Sequence, residues 1–191
     1  MSWTPAYQAG FTEQLIDQLL AVIQRDQRAA LDFVQGGVLP VLPSIASYQT
    51  SPTATQQYPV ALLAPIEDVF DAEAQAGSLH YSSFLRCEIA VSNQDSRIMA
   101  RLLQRYIRAL DAVFHSLADS NGSLGFAASF YTSLPLDLPE LGGTVNTTPL
   151  AAGTVKELWV GRHELSEIQR LPAGGFWKAG VIELRVDREE T

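Results

Sequence analysis

Residues 95–117 read as a helix, and what that helix has to bury sets the terms for the rest of the chain. Ile98, Leu102, Tyr106, Ile107, Leu110, Val113, Phe114 and Leu117 recur at helical spacing and form one apolar stripe. Such a stripe needs a second layer to pack on. Ser92-Asn93-Gln94-Asp95 supplies side chains able to cap the first turn, and Asn121-Gly122 closes the helix. Directly upstream, residues 80–91 (HYSSFLRCEIAV) predict a strand. Phe84, Arg86, Glu88 and Ala90 alternate there with Leu85, Cys87, Ile89 and Val91, the pattern of a half-buried strand.

The remaining elements follow from the same periodicities. Phe11, Leu15, Ile16, Leu19, Val22 and Ile23 predict a first helix over 11–34, with Thr12 near its start and Gly36-Gly37 at its end. Residues 58–64 (YPVALLA) predict a strand whose Pro59 suits a start or an edge, and 65–77 a long hairpin connection. Two further strands are expected near 156–170 and 176–187, turned by Leu171-Pro172-Ala173-Gly174-Gly175. Residues 38–57 and 119–155, rich in Pro, Ser, Thr and Gly, read as extended loops or insertions that order against neighbouring subunits. Connections of hairpin length cannot carry parallel crossovers. The expectation is therefore one α+β domain spanning 1–191, a mainly antiparallel four-stranded sheet packed against two helices. Trp159 and Phe176, in apolar-rich strands, are expected in the core between sheet and helices.

Charge narrows the partners. The formal net charge is −8, which argues against tight binding of nucleic acid, where affinity rests on neutralising phosphates. The positive charge is concentrated. Residues 86–118 hold Arg86, Arg97, Arg101, Arg105 and Arg108 against Glu88, Asp95 and Asp111, whereas 1–85 hold Arg25 and Arg28 against eight acids. Arg97, Arg101, Arg105 and Arg108 share one helical face and must point away from the core. That face is either solvated or docks on an acidic surface, with the acidic side of the first helix one candidate and another subunit a second. The sequence shows no apolar run long enough for a bilayer and no secretory leader, so a soluble protein made in the cytoplasm is expected.

No catalytic, cofactor or metal motif emerges. A single cysteine, Cys87, excludes an internal disulfide and reads as a buried structural thiol. His80, His115 and His163 lie in separate elements without ligand spacing. Gly36-Gly37, Gly142-Gly143 and Gly174-Gly175 lack any phosphate-loop context, and Asn121-Gly122-Ser123-Leu124-Gly125 lacks the spacing of a nucleophile elbow. Acidic pairs such as Glu67-Asp68 read as solvated charge. An enzyme with a site assembled from scattered acids and histidines stays open as an alternative. So does a ligand-binding module built on Trp159, Phe176 and Trp177.

The succession of elements resembles the tail terminator or tail completion proteins of long-tailed bacteriophages. The resemblance rests on the opening helix, the strand Tyr58-Pro59-Val60-Ala61-Leu62, and the strand Ile89–Val91 entering an Arg- and Leu-rich helix. It rests also on the closing run Val181-Ile182-Glu183-Leu184-Arg185-Val186. It covers about 120 residues and leaves out the two long loops. It implies no enzymatic activity. It implies a virion protein at the phage neck or tail end, assembled in the host bacterial cytoplasm. Identical subunits would form a ring, usually of six, that caps the tail tube, ends its polymerisation and meets the head connector or neck protein. An acidic lumen would let the genome pass without sticking. Related neck, sheath-attachment and minor tail proteins share this α+β plan.

Overall fold

The computed structural model describes residues 11–35, 42–50, 57–71, 79–118, 128–138, 142–172 and 174–190. The expected stops at Gly36-Gly37 and Asn121-Gly122 lie outside them, as do 51–56, 72–78 and 119–127 of the expected loops.

The frame is a sheet built on β8 (Phe176–Glu190). One edge of β8 pairs antiparallel with β3 (Leu79–Asn93) over fifteen positions, from Leu79 opposite Glu190 to Asn93 opposite Phe176. Its other edge takes β6 (Val155–Leu165) and then the short β7 (Gln169–Arg170). Between the two, Ser166 keeps the ladder going: its backbone N–H donates to Ala179 O and its Oγ accepts from Ala179 N, both at 2.9 Å. Beyond β3 lies β2 (Val60–Asp71), antiparallel, and beyond that β1 (Ser47–Gln49), parallel to β2.

The fold is thus α+β as expected, but among the described residues the sheet has six strands, not four, and is mixed. The parallel strand comes from the Pro-rich stretch expected to be a loop. The link between the two parallel strands is the stretch 50–59; α1 (Phe11–Gln35) precedes both and delivers the chain to the sheet edge through 42–46. Side chains of α1 hold that return. Gln35 Oε1 accepts from Leu42 N at 2.9 Å, Gln27 Oε1 accepts from Ile45 N at 2.7 Å, and Arg28 donates to Leu42 O at 2.8 Å. β2 also runs further than expected, to Asp71, through residues read as a hairpin connection.

Alternation decides which sheet face is covered. Leu85, Cys87, Ile89 and Val91 of β3, and Ile182, Leu184 and Val186 of β8, point to one face and are buried. Against them lies α2 (Ser96–Ala118), capped by Asp95, whose Oδ1 accepts from the backbone N of Arg97 at 2.7 Å and of Ile98 at 3.2 Å. Gly180 allows the close approach: a Cβ there would fall 2.3 Å from Ile107 Cδ1. Tyr106, Ile107, Leu110, Val113, Phe114 and Leu117 of the expected stripe are buried, and it departs only at the start of α2. Met99 and Leu103 are fully buried there, whereas Ile98 is 44% exposed and Leu102 half-buried.

A third layer covers α1. Leu19, Leu20, Ala21, Val22 and Ile23 are five consecutive residues, all 0% exposed, so the helix is enclosed on every side there. Its outer cover is the segment expected to be an irregular insertion. A 3-10 turn (Ala128–Phe130) and a hairpin of β4 (Pro135–Leu138) with β5 (Gly143–Asn146) bring Phe130, Leu136, Leu138 and Leu150 into the core. Gln24 fastens this cover by a reciprocal pair with Asp137, Oε1 accepting from the backbone N at 2.9 Å and Nε2 donating to the carbonyl at 2.8 Å. The buried Gln18 donates to Thr148 O at 2.9 Å. Residues 128–138 and 142–155 are therefore packed structure, not arms awaiting a neighbour.

Candidate functional site

α2 presents three sectors. At about 100° per residue, Met99, Leu103 and Ile107 point into the core, and Arg97, Arg101, Arg105 and Arg108 occupy a sector of about 80° on the opposite side. Arg97, Arg101 and Arg108 are exposed and Arg105 is half-buried, as the sequence required. None of the four guanidinium groups forms a hydrogen bond or ion pair with any described residue. The acids of α1 do not serve them. Arg25 holds Asp26 at 2.6 Å and Arg28 pairs with Asp32, so α1 carries its own counter-charges.

Between the basic sector and the core runs a line of Ile98, Leu102 and Tyr106, at i, i+4 and i+8. With Pro43, Tyr58 and Pro59 this line forms a groove of about 240 Å³ at the end of the sheet where β2 begins and β3 ends. Tyr106 fixes its floor by donating from the phenol to Pro43 O at 2.6 Å. Burial raises the Tyr106 hydroxyl well above the ordinary tyrosine range, so it remains a neutral donor. Val91, Ser92 and Asn93 complete the lining, so the groove is mainly apolar with a polar border, and the arginine sector of α2 lies beside its Ile98–Leu102 wall. Tyr106 is in the core as expected, whereas Ile98 is 44% exposed and Leu102 only half-buried. Met99 and Leu103, nearer the centre of the apolar arc, take the buried places at this end of the helix.

The structure also joins two histidines that the sequence kept apart. His163 Nε2 of β6 lies 3.3 Å and His115 Nε2 of α2 3.6 Å from Asp111 Oδ1, a carboxylate oxygen shielded from water where helix meets sheet. The nearby Ser116 hydroxyl donates to Val113 O, so it is not turned toward this cluster. Cys87 is 0% exposed in β3, and burial pushes its thiol up to about 12, as expected of a structural residue and unlike a nucleophile. Among the described residues no group of three or more His, Cys, Asp or Glu is placed to hold a metal ion.

The aromatic residues divide. Phe176 packs at the border of the core as expected. Trp159 does not: it sits opposite Arg185 on the open face of the sheet and is 52% exposed. The bulges at Val155/Glu157 and Val160/His163 shift the alternation of β6 and decide which residues face the helices. Trp177, half-buried, joins a small cluster with Val60, Ala90 and Ala179 on that same open face. Around it the open face carries ion pairs, Arg86 with Glu88 at 3.1 Å and Arg185 with Asp187 at 2.7 Å. Among the described residues no helix is long and apolar enough to cross a membrane.

No protein-family model matches the sequence. No curated protein matches it. Among solved structures, the chain is similar to one from the virion of a native gene transfer agent particle, with a TM-score of 0.45 and 9% identity, over 95% of this chain and 100% of that one.

Proposed function

We propose that this chain is a structural subunit of a phage-like virion, a tail terminator whose copies form a ring on the end of the tail tube. The ring stops tube polymerisation and offers its far side to the head connector or neck protein. The observation that carries this reading is the arginine face of α2. Four cations lie on one outward helix face without a described counter-charge, in a chain of net charge −8. A surface of that kind is suited to an acidic partner, and a closed ring needs two different complementary patches on each subunit. The sequence pattern of the opening helix, the central strands and the closing strand supplies the second support. On this reading the protein works by binding, without catalysis, cofactor or metal, and the acidic remainder keeps the passing genome from sticking.

The test is a reconstruction of the particle in which the protein resides, together with tube assembly from its tail tube protein. A ring on the tail axis at the head-proximal end of the tube is expected, and tubes assembled with the protein should be of limited length. A single copy, or a location off the axis, overturns the reading. The same fold in a neck or sheath-attachment ring would appear at a different height on the axis and leave tube length unchanged.

A further inference from the structure

The arginine-flanked groove has its complement at the other end of the same molecule. From its start beside the groove, β2 runs away along β3, and β1 covers it only at Val60, Ala61 and Leu62. Past that point its outer edge has no partner strand among the described residues. This far limb is acidic and apolar together. Glu67 and Asp68 are exposed, with Ile66 at 54% and Val69 at 46% exposure on either side of them. The bulge between Pro65 and Glu67 leaves Ile66 outside the register, which turns its side chain off the ladder. Proline, a bulge and charge are what an open edge carries to avoid unwanted pairing; two large apolar side chains held in water are not.

We infer that the β2 limb around Ile66, Glu67, Asp68 and Val69 docks into the arginine-flanked groove of a second copy of this chain, an inference that rests on the ring reading above. Ile66 and Val69 match the apolar floor made by Tyr58, Ile98 and Leu102. Glu67, and Asp68 whose Oδ2 also accepts from Thr12 Oγ1 at 2.8 Å, match Arg97 and Arg101 in charge. The two surfaces cannot neutralise each other within one molecule. Val60 to Val69 spans nine steps of an extended strand, about 30 Å, and charges so far apart are screened beyond a Debye length of about 8 Å. Between copies the obstacle vanishes. Because the surfaces differ and sit at opposite ends of one ribbon, each docking leaves one of each kind free, so association runs head to tail until it closes.

Two charge reversals and a crosslink test this in the full-length protein. Glu67→Lys with Asp68→Lys, and separately Arg97→Glu with Arg101→Glu, should each weaken self-association by about tenfold or more, read by sedimentation or light scattering over a concentration series. Mixing the two variants should restore association, because each then meets a complementary surface on the other. In a Cys87→Ser background, mixing Val69→Cys with Ile98→Cys should give a heterodimeric disulfide, and one chain carrying both should give a ladder. Circular dichroism on every variant separates loss of docking from loss of fold; a misfolded pair is replaced by the neutral changes Glu67→Gln and Arg101→Gln. A protein that self-associates normally in both reversals, without the crosslink, overturns this docking and leaves the ring standing. A protein that stays monomeric up to its solubility limit and forms no ladder overturns both.

Discussion

Replacing Phe130 by alanine should cost the isolated protein about as much stability as any single truncation in its core. The side chain is 0% exposed, in a turn that lies against α1, and Phe130 O accepts from Leu150 N at 2.9 Å. A buried phenylalanine removes roughly 150–250 Å² from water. At about 25 cal/mol per Å² that is roughly 4–6 kcal/mol, of which alanine retains a part. The cavity left behind adds to the loss, and the range found for such truncations is about 3–5 kcal/mol. For a chain of this size, about 2–4 °C of Tm per kcal/mol places the drop at roughly 6–20 °C. Thermal unfolding followed by circular dichroism measures it. The protein must be isolated, because the contrast lies there: a segment that ordered only against neighbouring subunits would contribute nothing to a free subunit. A Tm within about a degree of the parent would refute the claim that 128–138 and 142–150 form a layer of the core.

Trp159→Ala should shift stability by less than about 1 kcal/mol despite the size of the residue, since it stands on the open face; a loss like that of Phe130→Ala in the same assay would place it in the core. Cys87 should ignore a thiol reagent in the native protein at pH 8 and react fully in denaturant; rapid native reaction would contradict its burial. Its raised value fixes the sign of a pH dependence. The unfolded thiol ionises first, near 8.5, so the contribution is whole below that pH and is lost as pH rises toward about 12. Denaturant titrations at pH 8, 9 and 10 should show falling stability, and Cys87→Ala should flatten the slope by up to about 1.4 kcal/mol per pH unit. Tyr48 and Tyr106, raised by burial, act in the same direction from near pH 10 upward. Arg101→Glu with Arg105→Glu should leave the circular dichroism and Tm of the subunit nearly unchanged, because exposed charges contribute about 0–1 kcal/mol each. The same pair should impair ring formation or tail attachment; normal tails joined to heads would reduce the stripe to a solvated face.

Periodicity by itself placed both helices, the strands 58–64, 80–91 and 176–187, and the outward direction of the four arginines. Those properties depend on a residue and its near neighbours in the chain. An i, i+4, i+8, i+11 set faces one way whatever the helix packs on, and strict alternation in β3 separates Cys87 from Arg86 without knowledge of the partner strand. One clue to the third layer was also present and went unread. Leu19-Leu20-Ala21-Val22-Ile23 is apolar around the full turn, and a helix apolar on all sides needs cover on all sides.

What tertiary structure alone decided is where local signals were weak or misleading. Residues 42–50, 128–138 and 142–150 have the composition of loops, and their order comes from distant groups, Gln24, Gln27, Arg28 and Gln35 on α1, which no window of sequence brings near them. Leu158, Trp159 and Val160 are consecutive, so the sequence of β6 does not say which of them faces the helices; its bulged register on β8 buries Leu158 and leaves Trp159 in water. The packing of Leu103 and Ile107 on Gly180 sets how α2 sits on the sheet and leaves Ile98 at the groove, 44% exposed. His115, His163 and Asp111 meet only because α2 crosses β6 there. Each of these depends on contacts between residues far apart in the chain, and a periodic pattern fixes a face without fixing what lies against it.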